Sequence, residues 1–155
     1  MAWLRRRLWE PLVSVLRQGA SPEGLAWSLS TGLALGICPL WGTSTALCAA
    51  AGAVFRLNQV ALQLANYLAY PLQLALLIPF IRLGERLFGS SRLPLSLGQL
   101  QQAIRSDAWG ALGSFWTSLW HASVAWLLVV PLPMVLLAWA LTPAFRGLAG
   151  RFQRP

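Results

Sequence analysis

Charge is what this chain has least of. Charged side chains make up 10% of its 155 residues, against about 25% in an ordinary soluble domain. There are four acids, Glu10, Glu23, Glu85 and Asp107, and one histidine, His121. Lysine is missing altogether, so all twelve basic residues are arginine and the net charge is +8. An arginine-only bias can follow from genomic base composition, and it implies no mechanism. No basic stripe with interleaved aromatics lies on a soluble face, which argues against a nucleic-acid partner. The only cysteines, Cys38 and Cys48, form neither a disulfide framework nor a metal motif. They read as small buried thiols. With the acids at or outside the ends of the apolar stretches, catalysis of the soluble type is poorly equipped. There is no phosphate-cradling loop and no dinucleotide fingerprint. The expectation is a protein that is not an enzyme and needs no metal or other cofactor.

What the chain has instead is apolar length. It is 57% hydrophobic, with nine tryptophans. Gly24 to Phe55 runs for thirty-two residues without a charge. Its middle, Gly36-Ile37-Cys38-Pro39-Leu40-Trp41-Gly42-Thr43-Ser44-Thr45, does not suit a continuous helix, because Pro39 removes a backbone donor and clashes with the preceding turn. The arms on either side, Leu25–Ile37 and Ser44–Phe55, each reach roughly 20 Å as helix, short of the roughly 30 Å hydrocarbon core of a bilayer. The pattern predicts a broken or re-entrant helical hairpin. On the first arm Gly24, Ser28, Gly32 and Gly36 recur every fourth residue and form one line of small side chains. The second arm answers with Gly42, Ala46, Ala49, Ala50 and Ala53.

The run Ser21-Pro22, Gly32-xxx-Gly36-xx-Pro39-xx-Gly42-Thr43, Arg56-Leu57-Asn58, Tyr70-Pro71 and Leu83-Gly84 resembles a bacterial membrane family, the one catalogued as domain of unknown function 2062. The resemblance covers about Ser21 to Gly89. The family commonly has Asn-Pro where this chain has Tyr70-Pro71, and Asn66 stands four residues before Tyr70. It implies a small integral protein of the bacterial cytoplasmic membrane, sometimes attached to glycosyltransferase domains. It implies no settled activity.

The remaining chain divides in the same way. Residues 1–20 read as an amphipathic segment lying on the cytoplasmic interface, with Leu4, Leu8, Leu12, Val15 and Leu16 on one face. Leu8-Trp9-Glu10-Pro11 interrupts the run that a secretory signal would need. Residues 21–89 form the core membrane domain, two stretches each broken by proline. Ser21-Pro22-Glu23 starts the first as N-cap, first helical residue and dipole partner. The second, Leu57–Ile81, has Asn58 as N-cap and Pro71 at its break; Gln63, Asn66, Tyr70 and Gln73 share one helical face. Arg82 and Glu85 are expected to form an exposed pair of small value. Residues 90–107 are a linker and an amphipathic helix, whose apolar spacing continues from Leu97 to Leu119. Residues 108–145 form a third stretch, broken at Pro131 and Pro133, with His121 among its tryptophans at the interface. Residues 146–155 are a basic tail.

Arginines flank every stretch: four before the first, one after it, four from Arg82 to Arg105 and three at the end. Positive-inside reasoning puts all of them, and the N-terminus, on the cytoplasmic side. That requires the first two stretches to turn back as hairpins and leaves the third open. The fold class is therefore all-α, an integral membrane protein of broken or re-entrant hairpins with amphipathic interfacial helices. The leading functional expectation is transport or translocation of a lipid or small polar solute through a pocket of broken helices. Thr43, Ser44, Thr45, Asn66, Tyr70 and Gln73 would line it, with Gly32, Gly36, Pro39, Gly42 and Pro71 as break and packing residues. The alternative is a non-catalytic anchor or scaffold for envelope glycosyltransferases. Partners under these readings are membrane lipids, a second copy in a homo-oligomer, or such a glycosyltransferase.

Overall fold

Ser21 Oγ accepts the N–H of Gly24 at 3.0 Å, and Pro22 follows at the first helical position, so the described chain opens on a capped helix. The computed structural model describes residues 21–40, 42–91, 93 and 97–152. Among them the secondary structure is seven helices and no strand. They are α1 (Pro22–Gly36), α2 (Ser44–Val54), α3 (Gln59–Leu68), α4 (Tyr70–Phe88), α5 (Leu97–Ser106), α6 (Ala108–Val129) and α7 (Pro131–Phe152). The interfacial segment expected at 1–20 lies outside the described residues.

The break in the first stretch falls where the sequence places it. α1 stops at Gly36, Pro39 is buried in the connection, and Gly42 takes φ +80, a backbone that costs glycine nothing. The chain then returns to its starting end. The Asn58 N–H donates to Ser28 Oγ at 2.8 Å, which places the residues after α2 beside the first turns of α1. Asn58 also caps α3, its side chain accepting from Ala61 N–H at 3.0 Å.

The glycine line faces a different partner from the one expected. It packs on α3, which runs parallel to α1, while the alanines Ala46, Ala49, Ala50 and Ala53 of α2 are exposed. A Cβ at Gly32 would sit 2.8 Å from Ala65 Cβ, and one at Gly36 2.6 Å from Ala69 Cβ. Only bare backbone lets the two helices come this close. α1's other broad contact is α7, and α4 packs on α6.

The second stretch does not fold back. α3 and α4 meet at Ala69 with a 62° bend, and Pro71 stands in the first turn of α4. Pro71 has no N–H with which to continue the α3 ladder, and the path turns here without reversing. The helical spacing read from Leu97 to Leu119 is carried by two helices, α5 and α6, which part at Asp107. Asp107 is extended, and its carboxylate accepts the Gly110 N–H at 2.9 Å, so α6 starts afresh. The third stretch breaks at Val130, with Pro131 opening α7. The tail begins inside α7, where Arg146 pairs with Glu23 of α1.

The buried set is rich in small residues, among them Ala26, Ser28, Ser30, Ala65, Ala122 and Ala125, beside the larger Leu25, Leu62, Phe80, Ile81 and Phe145. Many large apolar groups face outward, with Trp109 84%, Leu128 67% and Trp139 66% exposed. Among the described residues one helix, α7 over Pro131–Ala149, is long and apolar enough to cross a membrane, and α3 with α4 makes a second if the bent pair counts as one span.

Candidate functional site

Of the residues expected to line a polar pocket, Thr45, Asn66 and Gln73 are engaged in holding helices together. Gln59 Nε2 donates to Ala49 O at 2.8 Å and Gln63 Nε2 to Thr45 O at 3.2 Å, which ties α3 to α2 in antiparallel register. Asn66 is buried, with long contacts to Thr45 Oγ1 (3.5 Å) and Gln63 Oε1 (3.4 Å). Gln73 lies beyond the bend, also buried, and donates to Cys38 O at 2.6 Å. That bond satisfies a carbonyl left over where α1 ends, a group that would be costly unpaired. Thr43 Oγ1 turns back to Leu40 O at 2.9 Å, and α2 has no side-chain cap. Ser44 is buried and Thr45 exposed. Tyr70 is exposed as well, since the bend at Ala69 separates it from the seam on α3. The structure thus brings Thr45, Gln63 and Asn66 together, sends Gln73 to the α1 end, and leaves Thr43 and Tyr70 facing out.

A cleft lies elsewhere. A cavity of about 560 Å³ opens between α1, the end of α2 and the α6–α7 break. Its walls include Trp27, Thr31, Leu35, Phe55, Trp126, Leu127 and Met134. The volume is within the roughly 300–1,000 Å³ of ordinary ligand sites. Trp126 Nε1 donates to Ala34 O at 3.0 Å and so fixes one wall to α1. Among the described residues a single charged one lines this cleft, Arg56.

Arg56 occupies a backbone position that glycine would normally take. Its φ is +52, the only positive φ among the described non-glycine residues. α2 ends at Phe55, whose N–H bonds Ala51 O at 2.9 Å, and the Leu57 N–H reaches back to Gly52 O at 3.0 Å. This is the six-to-one closure of a Schellman end, with Arg56 at the left-handed position. A side chain there costs about 1–2 kcal/mol relative to relaxed backbone. Arg56 is exposed, and among the described residues no carboxylate pairs with it.

Comparison with known proteins gives one positive result. The profile of a family described as "Uncharacterized protein conserved in bacteria (DUF2062)" matches residues 3–151. The chain belongs to this family. No curated protein and no solved structure matches it.

In this DUF2062 chain the sequence reasoning overlooked the cleft because its walls come from residues a hundred positions apart. Trp27 and Trp126 share no motif, and Arg56 is conspicuous only as a lone charge between two uncharged stretches. One assignment at the far end of α4 also changes. Glu85 is buried, not exposed: it holds Arg82 at 2.7 Å and accepts the Leu93 N–H at 2.7 Å. The pair anchors the chain that follows α4. His121 is half-buried and stacked on Phe88 with ring centroids 4.2 Å apart, and Nδ1 lies 3.3 Å from Ser90 Oγ. It joins α6 to the end of α4, where Gly84 packs against its backbone.

Proposed function

We propose that this chain is an integral protein of the bacterial cytoplasmic membrane that takes a lipid acyl chain into the α1/α2/α6/α7 cleft as a step in lipid translocation. The observation that carries the reading is the cleft itself, its described lining mostly apolar with Arg56 as its one cation, and walled by helices that break beside it. Outward-facing tryptophan and leucine with small residues inside suit a lipid solvent, where close backbone approach replaces hydrophobic burial as the basis of packing. Broken helices are tolerated at membrane depth where they are covered by protein or line a cavity. Lipid is favoured over a small polar solute because the amides of Gln59, Gln63 and Gln73 are spent on helix contacts and do not line a polar path.

Photo-crosslinking tests this. A phospholipid with a diazirine in mid-chain, incorporated into vesicles with the full-length protein, should form adducts concentrated on peptides carrying Trp27, Thr31 and Trp126. Adducts confined to outward faces such as those of Trp109 and Leu136 would contradict an occupied cleft.

The same satisfied amide seam favours one second reading, a non-catalytic scaffold for an envelope glycosyltransferase. Co-purification of such an enzyme, with no crosslinking to cleft peptides, would select it.

A further inference from the structure

We infer that Arg56 makes the cleft selective for lipids with an anionic headgroup. The inference rests on the lipid reading above and adds to it which lipid is taken. In a bilayer an acyl chain leaves one apolar surrounding for another, so an apolar cleft gains little by receiving it and cannot tell one phospholipid from the next. Selection has to come from the headgroup. Among the described residues Arg56 is the only charged one in the lining, and it stands where glycine would be unstrained. The guanidinium offers donors in a fork that fits a phosphate oxygen pair. No described carboxylate neutralises it, and Glu23, adjacent in sequence to the cleft residue Gly24, is already held by Arg146. The cleft therefore presents an apolar channel for a chain and one cation without a carboxylate partner among the described residues. That is the complement of a phospholipid whose phosphate charge is not offset by an ammonium of its own.

The test uses full-length protein reconstituted with equal amounts of phosphatidylglycerol and phosphatidylethanolamine, extracted in mild detergent, with retained lipids counted by native mass spectrometry. Wild type should retain phosphatidylglycerol in preference. Arg56→Gln and Arg56→Gly should lower that preference roughly five- to tenfold, with the total number of retained lipids unchanged. Arg56→Gly guards against misfolding, since glycine relaxes the left-handed position. Arg56→Lys should keep much of the preference. Leu127→Trp, at an exposed cleft position, should reduce retention of both lipids. A wild-type lipid ratio in both Arg56→Gln and Arg56→Gly overturns the headgroup inference, while loss of retention in Leu127→Trp still upholds the cleft. Unchanged retention in Leu127→Trp overturns the cleft reading itself, whatever Arg56 does.

Discussion

At the scale of single residues, the glycine line is the most exacting feature. At Gly32 an added Cβ would meet Ala65 and the Leu62 carbonyl; at Gly36, Ala69 and the Asn66 carbonyl; at Gly24, only Ser21 Oγ. Gly32→Leu and Gly36→Leu should each destabilise by about 1–3 kcal/mol or more, because a packed helix pair has to separate. Gly24→Leu should cost much less. Thermal unfolding in detergent would check this, and equal mild losses at all three positions would mean that the α1–α3 contact is not the one described. Gln73→Leu should cost about 1–3 kcal/mol by leaving the Cys38 carbonyl buried without a donor. Thr43→Val, which removes an exposed hydroxyl bond, should stay within about 0.5 kcal/mol. Similar losses for the two would show that the buried bond contributes nothing special. Much at this scale was legible in the sequence. Ser21 and Asn58 as caps, and Gly36, Pro39 and Gly42 as the break, follow from local backbone chemistry. Arg56 was not legible, because the left-handed position it takes ordinarily goes to glycine.

At the scale of elements, local signals located every proline break but not what each break does. Pro39 sits in a connection that reverses the chain, Pro71 in a 62° bend, and Pro131 at the start of a new helix. Proline chemistry is the same at each position; the outcome is decided by what packs around it. For the α3–α4 bend those partners are Gly36 against Ala69, and Gln73 on Cys38 O. Pro71→Ala restores the missing donor, yet the bend should persist because these contacts remain. Spin labels at the exposed positions Val60 and Ile78 would report the same separation in wild type and Pro71→Ala. A clear lengthening, as from a straightened helix, would assign the bend to the proline alone. The amide face from Gln63 to Gln73 taught the same lesson. Its spacing was readable, but the bend at Ala69 divides it and sends Tyr70 outward.

At the scale of the whole molecule, the return of the first stretch makes a topological statement. Ser28 and Asn58 share a hydrogen bond, so the two ends of Gly24–Phe55 emerge together. With Cys38 and Cys48 replaced by alanine, single cysteines at Ser21 and Asn58 should behave alike, each at a cap cost of about 1 kcal/mol. On the positive-inside expectation for Arg17 and Arg56, which flank this stretch, both would lie on the cytoplasmic side. A membrane-impermeant maleimide should therefore label neither in intact cells and both in inverted vesicles. Labelling of Asn58→Cys alone from outside would break the hairpin and the charge argument together. The all-helical class and the family were readable from composition and motif spacing. The cleft was not, since it exists only where α1 meets the α6–α7 break.

Lipid translocation through that cleft is tested most directly in vesicles that carry a trace of fluorescent phospholipid in both leaflets, with dithionite added outside. Protein-free vesicles keep the inner-leaflet signal. Vesicles containing the wild-type chain should lose signal beyond the outer-leaflet share as inner lipids cross, and Leu127→Trp should slow that second loss. Wild-type vesicles that bleach no further than protein-free ones would contradict the account.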